Sequence, residues 1–382
     1  MTIYLDISAA VHRRAGLGRY AESLARALLA QFAGLSAGQS ADLAFFYNRE
    51  HGIEPLAGLE HTPTRTISLG YKPWRMAVWA GHLAGASFGR LLPDAGLFHA
   101  TEHLLPPLRG VPTVLTVHDL IFRRYPQHHK PLNRWYLNAT LPLFCRRADH
   151  IIAVSEQTKR DVLAAYAVPA SKITVVYEAA DARFVPQPAG RVAEARRRYR
   201  LPDRYLLFVG TIEPRKNLGQ ALTVFERLYA ERLTDALVIV GKRGWLYDAF
   251  FSRLAQSPAR QAVLFPGFVP DADLPAVYAG AQALVFPSEF EGFGLPVLEA
   301  MACATPVVCS NSSSLPEVAG DAALLVDPAD ADALAAALRR ILTEPDLAAE
   351  LTRRGLIQAG RFSWQRAAAE TLAVYRQVRA GL

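Results

Sequence analysis

The stretch Leu284–Glu299 constrains this chain more than any other part of it. It reads LVFPSEFEGFGLPVLE, a short apolar run followed by an acidic, glycine-rich loop and a helical pattern. The apolar run is typical of a buried parallel strand. Gly292 and Gly294 allow a sharp turn and a close ligand approach, and a helix is predicted to begin at Leu295. Backbone N–H groups at this helix start predict an anion-binding site.

Two glutamates lie on either side of this predicted helix start. Glu291 lies on the loop and Glu299 on the helix, with seven residues between them. The string SEFEGFGLPVLEAMA resembles the signature of the family 4 retaining glycosyltransferases. The resemblance implies a GT-B fold, in which two Rossmann-like α/β domains face each other across a cleft that holds a nucleotide sugar. It also implies donor contacts from the loop and helix, with Glu291 at the sugar hydroxyls and Glu299 at the ribose; the donor-binding residues here are Gly292, Phe293, Gly294, Leu295 and Glu299.

The domain organisation is inferred from the chain length and from prolines that interrupt the predicted elements. A chain of 382 residues with 51% hydrophobic and 20% charged residues predicts two or three folded domains. Pro186 and Pro188 mark a boundary between an acceptor-binding domain (1–185) and a nucleotide-sugar-binding domain (186–362). Alternating strands and helices predict parallel sheets with right-handed crossovers. By resemblance, residues 363–382 form a helix that returns to the first domain.

A strand-to-helix turn in the second domain carries two adjacent cations. Arg215 and Lys216 lie in TIEPRKN, directly after a predicted strand that ends at Gly210. Ligands bind beyond the carboxyl ends of such strands, so the pair is placed for a diphosphate; a solvated turn is the alternative. A loop lysine is expected to be exposed, so Lys216→Ala is expected to leave the fold intact. EPRKNL matches the family's phosphate-binding segment, which implies donor contacts from this turn and from Gly210.

The resemblance implies that two further loops bind the donor. In the family, the backbone of the turn that contains Val269 reads the nucleobase. Gly16 and Gly18 follow the first predicted strand and precede a helix predicted to begin at about Arg19. The family places this glycine loop under the donor diphosphate. The third glycine of a dinucleotide fingerprint is missing, which counts against a nicotinamide-dependent oxidoreductase.

Three polar residues of the first domain follow predicted buried strands. His118 begins the string His-Asp-Leu, which resembles a family motif whose histidine faces the donor sugar. His99 and Glu102 end another strand and are predicted to contact the acceptor. A histidine at a strand end is often structural, so that role remains the alternative for both histidines.

The first domain is basic. Residues 1–185 contain 20 Lys and Arg against 14 Asp and Glu, which favours an anionic partner such as a phosphorylated acceptor or an acidic membrane face. A predicted helix near 71–92 mixes Lys72, Trp74, Arg75 and Trp79. This mixture suits a membrane interface, although a core helix with a polar rim has the same pattern. The sequence contains no basic run interleaved with aromatic residues, so it does not favour nucleic acid as the partner.

Location and cofactors are inferred from what the sequence lacks. It has no signal-peptide layout and no apolar run long enough to span a bilayer, so we expect a cytoplasmic protein, at most peripheral on the inner membrane face. Its three cysteines have no metal-ligand spacing and are expected to be buried. Asp271 and Asp273 match an Asp-x-Asp metal motif but more simply predict a helix N-cap, so no metal is expected. Ala304 stands where the family usually has glycine.

Together these features predict a retaining, metal-independent hexosyltransferase. The predicted donor is GDP-mannose, with a UDP-sugar second, and the acceptor is a glycan or a polyprenyl-diphosphate-linked sugar in cell-surface polysaccharide synthesis. The predicted catalytic residues are His118, Arg215, Lys216 and Glu291, and no protein nucleophile is assigned. The alternatives are a non-catalytic sugar-nucleotide-binding protein of the same fold and, less favoured, the oxidoreductase.

Overall fold

A computed structural model describes residues 2–33, 42–50, 53 and 56–380 of the chain. The chain forms two compact units. Unit 1 comprises Met1–Arg124, Pro131–Glu178 and Ser363–Leu382; unit 2 comprises Tyr125–Lys130 and Ala179–Phe362. The division therefore falls after Glu178, rather than after residue 185 as the sequence predicts. Each unit contains one parallel sheet, which confirms the predicted α/β fold with two Rossmann-like sheets.

Unit 1 is built on a sheet of seven strands in the described part of the chain, all paired in parallel. The strands are β1 Thr2–Asp6, β2 Asp42–Asn48, β3 Thr64–Ile67, β4 Ala95–Ala100, β5 Thr113–Val117, β6 His150–Ala153 and β7 Ile173–Val175. Their order is β3-β2-β1-β4-β5-β6-β7. The order reverses between β1 and β4, and such a reversal is where open α/β sheets bind ligands.

Helices cover the sheet of unit 1. They are α1 Ser8–Val11, α2 Ala15–Ala33, α3 Tyr71–Leu83, α4 Ile121–Arg124, α5 Pro131–Arg147 and α6 Glu156–Ala165. The predicted start of α2 at Arg19 is wrong. The helix begins at Ala15, so Gly16 and Gly18 lie in its first turn rather than in a preceding loop. Glycine is a poor helix former but is compatible with a helix start, and that start aims unpaired N–H groups outward.

The core of unit 1 contains one of the two tryptophans predicted for a membrane face. Trp74 is 1% exposed and packs against Phe46 and Phe88, with ring centroids 5.9 and 5.7 Å away. Trp79 is partly buried against that core, and its ring lies 5.3 Å from that of Trp135. The two tryptophans therefore fit the alternative of a core helix with a polar rim, because α3 turns its aromatic stripe toward the sheet.

Unit 2 is built on a sheet of six parallel strands within the described residues. The strands are β8 Tyr205–Val209, β9 Ala236–Val240, β10 Val263–Leu264, β11 Ala283–Phe286, β12 Val307–Ser310 and β13 Leu324–Val326, in the order β10-β9-β8-β11-β12-β13. The helices that follow Glu178 are α7 Ala189–Tyr199, α8 Leu218–Ala230, α9 Asp248–Ala255, α10 Leu274–Ala279, α11 Leu295–Ala302, α12 Leu315–Ala319, α13 Ala331–Thr343, α14 Pro345–Ala359 and α15 Trp364–Ala380; the last belongs to unit 1.

Two residues of unit 2, Asp273 and Ala304, bear on predictions made from the sequence. Asp273 precedes α10, but its side chain does not cap that helix. It instead accepts a hydrogen bond from the Tyr199 hydroxyl at 2.6 Å, so the predicted capping role is wrong. Ala304 has φ +63°, a left-handed conformation that glycine adopts without strain. This conformation explains why glycine is usual there in the family.

Helix α15 is joined to the sheet of unit 1 through a buried histidine. Tyr375 on α15 lies 2.6 Å, oxygen to nitrogen, from Nδ1 of His99 at the end of β4. The other ring nitrogen of His99 lies 2.8 Å from the Thr116 hydroxyl. Burial, with a smaller effect from His118, lowers the pKa of His99 to about 3, so the ring is neutral. The last helix is therefore held in unit 1 by a specific polar contact as well as by apolar packing.

Tyr375→Phe should destabilise the protein. It removes the hydroxyl and leaves one nitrogen of a fully buried histidine without its partner, which costs about 1 to 3 kcal/mol. Tyr229→Phe is the control, because Tyr229 is 41% exposed and surface changes cost within roughly 0.5 kcal/mol. Urea unfolding of both variants measures the difference. Equal midpoints would show that the Tyr375 hydroxyl contributes nothing to stability.

Candidate active site

The predicted donor-binding residues gather where the strand order of unit 2 reverses. Strands β8 and β11 are neighbours in the sheet, although α8, β9, α9, β10 and α10 separate them in sequence. The turn after β8 carries Arg215 and Lys216, and the loop after β11 carries Glu291. The backbone joins the two loops, since the N–H of Glu289 donates to the carbonyl of Arg215 at 2.8 Å. The fold thus brings two distant sequence motifs together at one edge of the sheet.

Four ionisable side chains form what we call the charged cluster: Glu213, Arg215, Lys216 and Glu291. Arg215 reaches Glu213 through Nε at 2.6 Å and Glu291 through Nη1 at 2.7 Å. Lys216 Nζ lies 2.6 Å from the other oxygen of Glu291. Each oxygen of Glu291 is therefore fixed by a different cation. An ionised carboxylate has about four acceptor positions, so Glu291 retains capacity for a ligand hydroxyl.

The charges of this cluster interact strongly because their side chains are buried. Lys216 is 6% exposed and Glu291 is 7% exposed, so the expectation of an exposed loop lysine is wrong. Although burial opposes its charge, Arg215 and then Lys216 lower the pKa of Glu291 to about 2. Burial and the charge of Arg215 lower the pKa of Lys216, while its contact with Glu291 favours the ammonium form. Buried charges persist only when they are paired, as they are here.

Glycines and small loops shape the backbone beside the cluster. Gly294, the residue before α11, has φ +116°, and a Cβ there would lie 2.6 Å from the Leu315 side chain. Gly210 follows β8 with φ +155° and faces the Lys216 side chain. Gly292 shares the acidic loop with Gly294. Gly210 and Gly294 favour glycine for geometric reasons, and the donor contacts predicted for all three glycines remain predictions.

The remaining donor-binding candidates in unit 2 are buried. Val269, Phe293 and Leu295 are 5%, 4% and 7% exposed. Glu299 is 0% exposed, and its Oε2 accepts a hydrogen bond from the Tyr278 hydroxyl at 2.8 Å. Glu299 is therefore closed to solvent, and its contact with the ribose stays a prediction. Binding of a ribose at Glu299 would require the surrounding side chains to move.

His118 lies beyond the end of β5 in unit 1 with both ring nitrogens occupied. Nδ1 lies 3.2 Å from the Glu178 carboxylate, and Nε2 lies 2.8 Å from the carbonyl oxygen of Thr101. The Thr101 carbonyl accepts hydrogen bonds only, and a carboxylate at Glu178 would accept as well, so the geometry favours a proton on each ring nitrogen. Burial alone would lower the pKa of His118, but Glu178 and the Thr101 carbonyl raise it above its ordinary value. Both effects favour the cationic form of His118.

The two predicted acceptor residues differ in how completely their polar atoms are bonded within unit 1. His99 is 0% exposed with both nitrogens bonded within unit 1, so it presents no group to an acceptor and has a structural role. Glu102 is 3% exposed and receives a 2.6 Å hydrogen bond from Arg14 on one oxygen.

The two glycines of α2 differ in their surroundings. Gly16 is exposed, and a Cβ there would meet nothing within 4 Å. Gly18 is buried, and its Cβ would lie 2.8 Å from the carbonyl oxygen of Ala9.

Sequence reasoning missed two carboxylates that complete these groups. Glu213 precedes Arg215 in the predicted phosphate-binding turn, where an adjacent opposite charge was a usable signal. Glu178 lies 60 residues from His118, and nothing in the sequence connects the two. Asp271 and Asp273 pair with Arg183 and Arg198 instead of converging. Across the residues that the structure describes, no group of three or more His, Cys, Asp or Glu is arranged to hold a metal ion.

Comparison with known proteins agrees with this arrangement. Residues 14–184 match the family profile described as Glycosyltransferase Family 4, and residues 193–358 match Glycosyl transferases group 1. The chain is 35% identical over 282 residues to the O-antigen chain mannosyltransferase B of Escherichia coli, covering 73% of this chain and 74% of that protein. The chain belongs to glycosyltransferase family 4. Membership of this family displaces the oxidoreductase alternative.

Two further likenesses extend the comparison. The chain is 32% identical over 282 residues to an MMP alpha-(1->4)-mannosyltransferase of Mycolicibacterium hassiacum, covering 70% of this chain and 66% of that protein. Its structure resembles that of sucrose-phosphate synthase from Thermosynechococcus elongatus, with a TM-score of 0.78 and 22% identity over 100% of both chains. The GT-B fold class is thereby confirmed.

Lys216→Ala should lower turnover about 100- to 1,000-fold, because it removes one preorganised charge at the developing leaving group. Donor affinity should fall less than turnover does, since charge on the leaving group is greatest in the transition state. The variant should also lose about 1 to 3 kcal/mol of stability, because buried Glu291 loses one of its partners. Lys216→Arg should restore turnover only in part.

Turnover, the donor dissociation constant and the thermal midpoint measure these effects. Lys242→Ala is the matched control, because Lys242 is exposed and follows β9, the strand beside β8. If folded Lys216→Ala turns over like wild type, the charged cluster does not stabilise the leaving group. An equal loss in Lys242→Ala would indicate a general effect of positive charge.

Gly16→Ala and Gly18→Ala should separate ligand approach from packing. Gly16→Ala adds a methyl group to open space and improves helix propensity, so stability should stay equal or rise by up to about 1 kcal/mol. Its turnover should nevertheless fall if a ligand approaches the backbone there. Gly18→Ala should lower the thermal midpoint, because its Cβ would overlap a backbone carbonyl. Full turnover of stable Gly16→Ala would exclude a close ligand approach at Gly16.

Proposed function

We propose that this protein is a retaining mannosyltransferase that uses GDP-mannose, with a UDP-sugar as the second candidate donor. The acceptor is a glycan or a polyprenyl-diphosphate-linked sugar of a cell-surface polysaccharide. The observation that carries the proposal is the charged cluster at the reversal of strand order in unit 2. The 35% identity to an O-antigen chain mannosyltransferase supports mannose as the sugar.

The charged cluster suits the departure of a nucleoside diphosphate. Transfer breaks the bond between the sugar and the diphosphate, so negative charge grows on the diphosphate while the sugar becomes oxocarbenium-like. Arg215 and Lys216 are already oriented by Glu213 and Glu291. Preorganised cations stabilise such a transition state without a reorganisation cost at the moment of reaction. In this proposal Glu291 binds the sugar hydroxyls through its remaining acceptor positions.

His118 contributes charge rather than proton transfer in this proposal. Both of its ring nitrogens donate to fixed acceptors, Glu178 and the Thr101 carbonyl, so neither is available as a base. A buried imidazolium favours negative charge that develops near it. We assign His118 to the donor sugar, as the resemblance implies, and no protein group is assigned as a nucleophile.

Membrane association is proposed from a corrected set of residues. Four apolar side chains of α3 and α5 are exposed, and we call this set the apolar patch: Met76 (49%), Leu83 (70%), Leu132 (79%) and Trp135 (54%). Lys72 is exposed on the same helix as Met76. Exposed apolar groups beside cations suit a membrane interface with anionic lipids. Within the described residues, no helix combines the length and apolarity needed to cross a bilayer.

A donor panel tests the proposed function. Purified protein is screened by thermal shift against GDP-mannose, UDP-glucose and the matching free nucleotides, because a ligand of the folded state raises the midpoint. Transfer to a fluorescently labelled manno-oligosaccharide is then measured, and the anomeric configuration of the product is read by NMR. Transfer with retention from GDP-mannose is expected. Binding of a nucleotide sugar without transfer or hydrolysis would favour the non-catalytic alternative.

The metal-independent part of the proposal has its own test. Asp271 and Asp273 are engaged with arginines, and the charged cluster already supplies positive charge for the diphosphate. Transfer should therefore persist in excess EDTA. Loss of transfer in EDTA with recovery on addition of magnesium or manganese would contradict this part alone.

The apolar patch should mediate binding to anionic vesicles. A Leu132→Ser, Trp135→Ala double variant should bind vesicles containing phosphatidylglycerol more weakly than wild type does. Binding should also weaken with salt, because exposed charges are screened over about 8 Å at physiological ionic strength. Ile357→Ser is the control, because Ile357 is 52% exposed on α14 of unit 2. Equal sedimentation of all three proteins with vesicles would remove the apolar patch from the interaction.

A further inference from the structure

The reversal of strand order in unit 1 carries a second polar group, which we call the carboxylate cluster: Asp6, Arg14, Tyr71 and Glu102. Asp6 ends β1, and Glu102 follows β4, the neighbouring strand. The Thr101 hydroxyl donates to the backbone carbonyl of Asp6 at 2.6 Å and ties the two strand ends together. This edge of the sheet therefore carries two acidic residues and one arginine, whereas the charged cluster of unit 2 pairs two cations with two carboxylates.

One atom of this cluster lacks a partner. Oε2 of Glu102 accepts from Nη1 of Arg14 at 2.6 Å, whereas Oε1 is buried and has no hydrogen-bond partner among the residues that the structure describes. A buried polar group without a partner destabilises the folded state, because it has lost the hydrogen bonds that water would supply. Native structures therefore fill such positions with water or with a ligand. The unpartnered oxygen indicates a site that something else completes.

Arg14 cannot turn to serve that oxygen without losing its other contacts. Its guanidinium carbon lies 3.4 Å from the centroid of the Tyr71 ring, in a stacked position that a cation favours. It keeps 23% of its side-chain surface in solvent, and the exposed Gly16 follows on the same segment. The solvent side of the cluster is thus lined by an arginine that Glu102 and the Tyr71 ring hold in place.

The charge of the cluster selects the ligand chemistry. Two acidic residues, Asp6 and Glu102, face one arginine, so at pH 7 and above a phosphate would meet at least as much negative as positive charge at close range. An ionised carboxylate only accepts hydrogen bonds, and its natural partner is a hydroxyl donor. We propose that Glu102 binds a hydroxyl of the neutral sugar end of the acceptor, with Arg14 and Asp6 as its positioning residues. This inference rests on the proposed glycosyl transfer and deepens it by naming the acceptor group that is recognised.

Asp6 has the properties of a residue retained at a cost in stability. Asp6 is 1% exposed and accepts a 2.8 Å hydrogen bond from the Ser8 N–H. Its carboxyl group interacts electrostatically with Glu102 and Arg14. Tyr71 interacts electrostatically with the same two residues. Burial and the charge of Glu102 raise the pKa of Asp6 to about 7. The folded state therefore holds this proton more tightly than the unfolded state does, and stability falls as pH rises from about 4 to 7.

The acceptor experiment compares wild type, Glu102→Gln and the control Glu22→Gln. Glu22 also pairs with an arginine, Arg26, at 2.7 Å, but on the exposed face of α2. With GDP-mannose and a fluorescently labelled manno-oligosaccharide, Glu102→Gln should raise the acceptor KM about 10- to 150-fold, the loss of a hydrogen bond to a charged group. The donor dissociation constant should not change, and Glu22→Gln should behave as wild type.

Monodeoxy versions of the same oligosaccharide identify the hydroxyl. One of them should raise the acceptor KM of wild type by about the same factor, and Glu102→Gln should no longer distinguish it from the parent acceptor. An unchanged acceptor KM in folded Glu102→Gln, with wild type active, would overturn this inference alone. Failure of wild type to transfer from any nucleotide sugar would overturn the proposed function instead.

Asp6→Asn keeps the inference testable if Glu102→Gln does not fold. It should raise the thermal midpoint, and more at pH 8 than at pH 5, because wild-type Asp6 is ionised at a cost only near and above pH 7. In wild type the acceptor KM should fall as pH rises through 7, since ionised Asp6 strengthens Glu102 as an acceptor. Asp6→Asn should flatten that profile, and an unflattened profile would contradict the positioning role.

Discussion

The pairing of Glu291 with Arg215 and Lys216 is the interaction on which the charged cluster of unit 2 depends. A lysine and a carboxylate this deeply buried are stable only while paired, since an unpaired charge in such a place costs several kcal/mol. The pairing in turn requires β8 and β11 to be neighbours, which the reversal of strand order provides. The chemistry of the site and the topology of the sheet are therefore one constraint.

The sequence singled out residues that the structure brings together, but it did not predict their burial. Local strings identified Arg215, Lys216, Glu291 and Gly294, because each lies in a strand–turn–helix segment whose residue types restrict its chemistry. Burial was not predictable, because Lys216 is covered by a loop about 75 residues further along the chain. Solvation follows from tertiary contacts, so a motif identifies which side chains are charged and not whether water reaches them.

The first unit shows the same limit for structural residues. His99 was predicted to contact an acceptor, yet its partner Tyr375 lies 276 residues away on the last helix. Trp74 shares its segment with Lys72, but the turn of α3 determines which of them faces the core. The parallel sheet itself was predictable, because the alternation of apolar strands and helices is a property of neighbouring residues.

The two reversals of strand order use the same geometry for opposite chemistry. In each sheet, adjacent strand ends deliver side chains that sequence separates, and a short polar contact ties the two ends together. The ends in unit 2 deliver cations held by carboxylates, which suits an anionic diphosphate. Those in unit 1 deliver carboxylates held by one arginine, which suits hydroxyl donors. In the function proposed here, the fold specifies where ligands bind, and the loop residues decide which charge each place accepts.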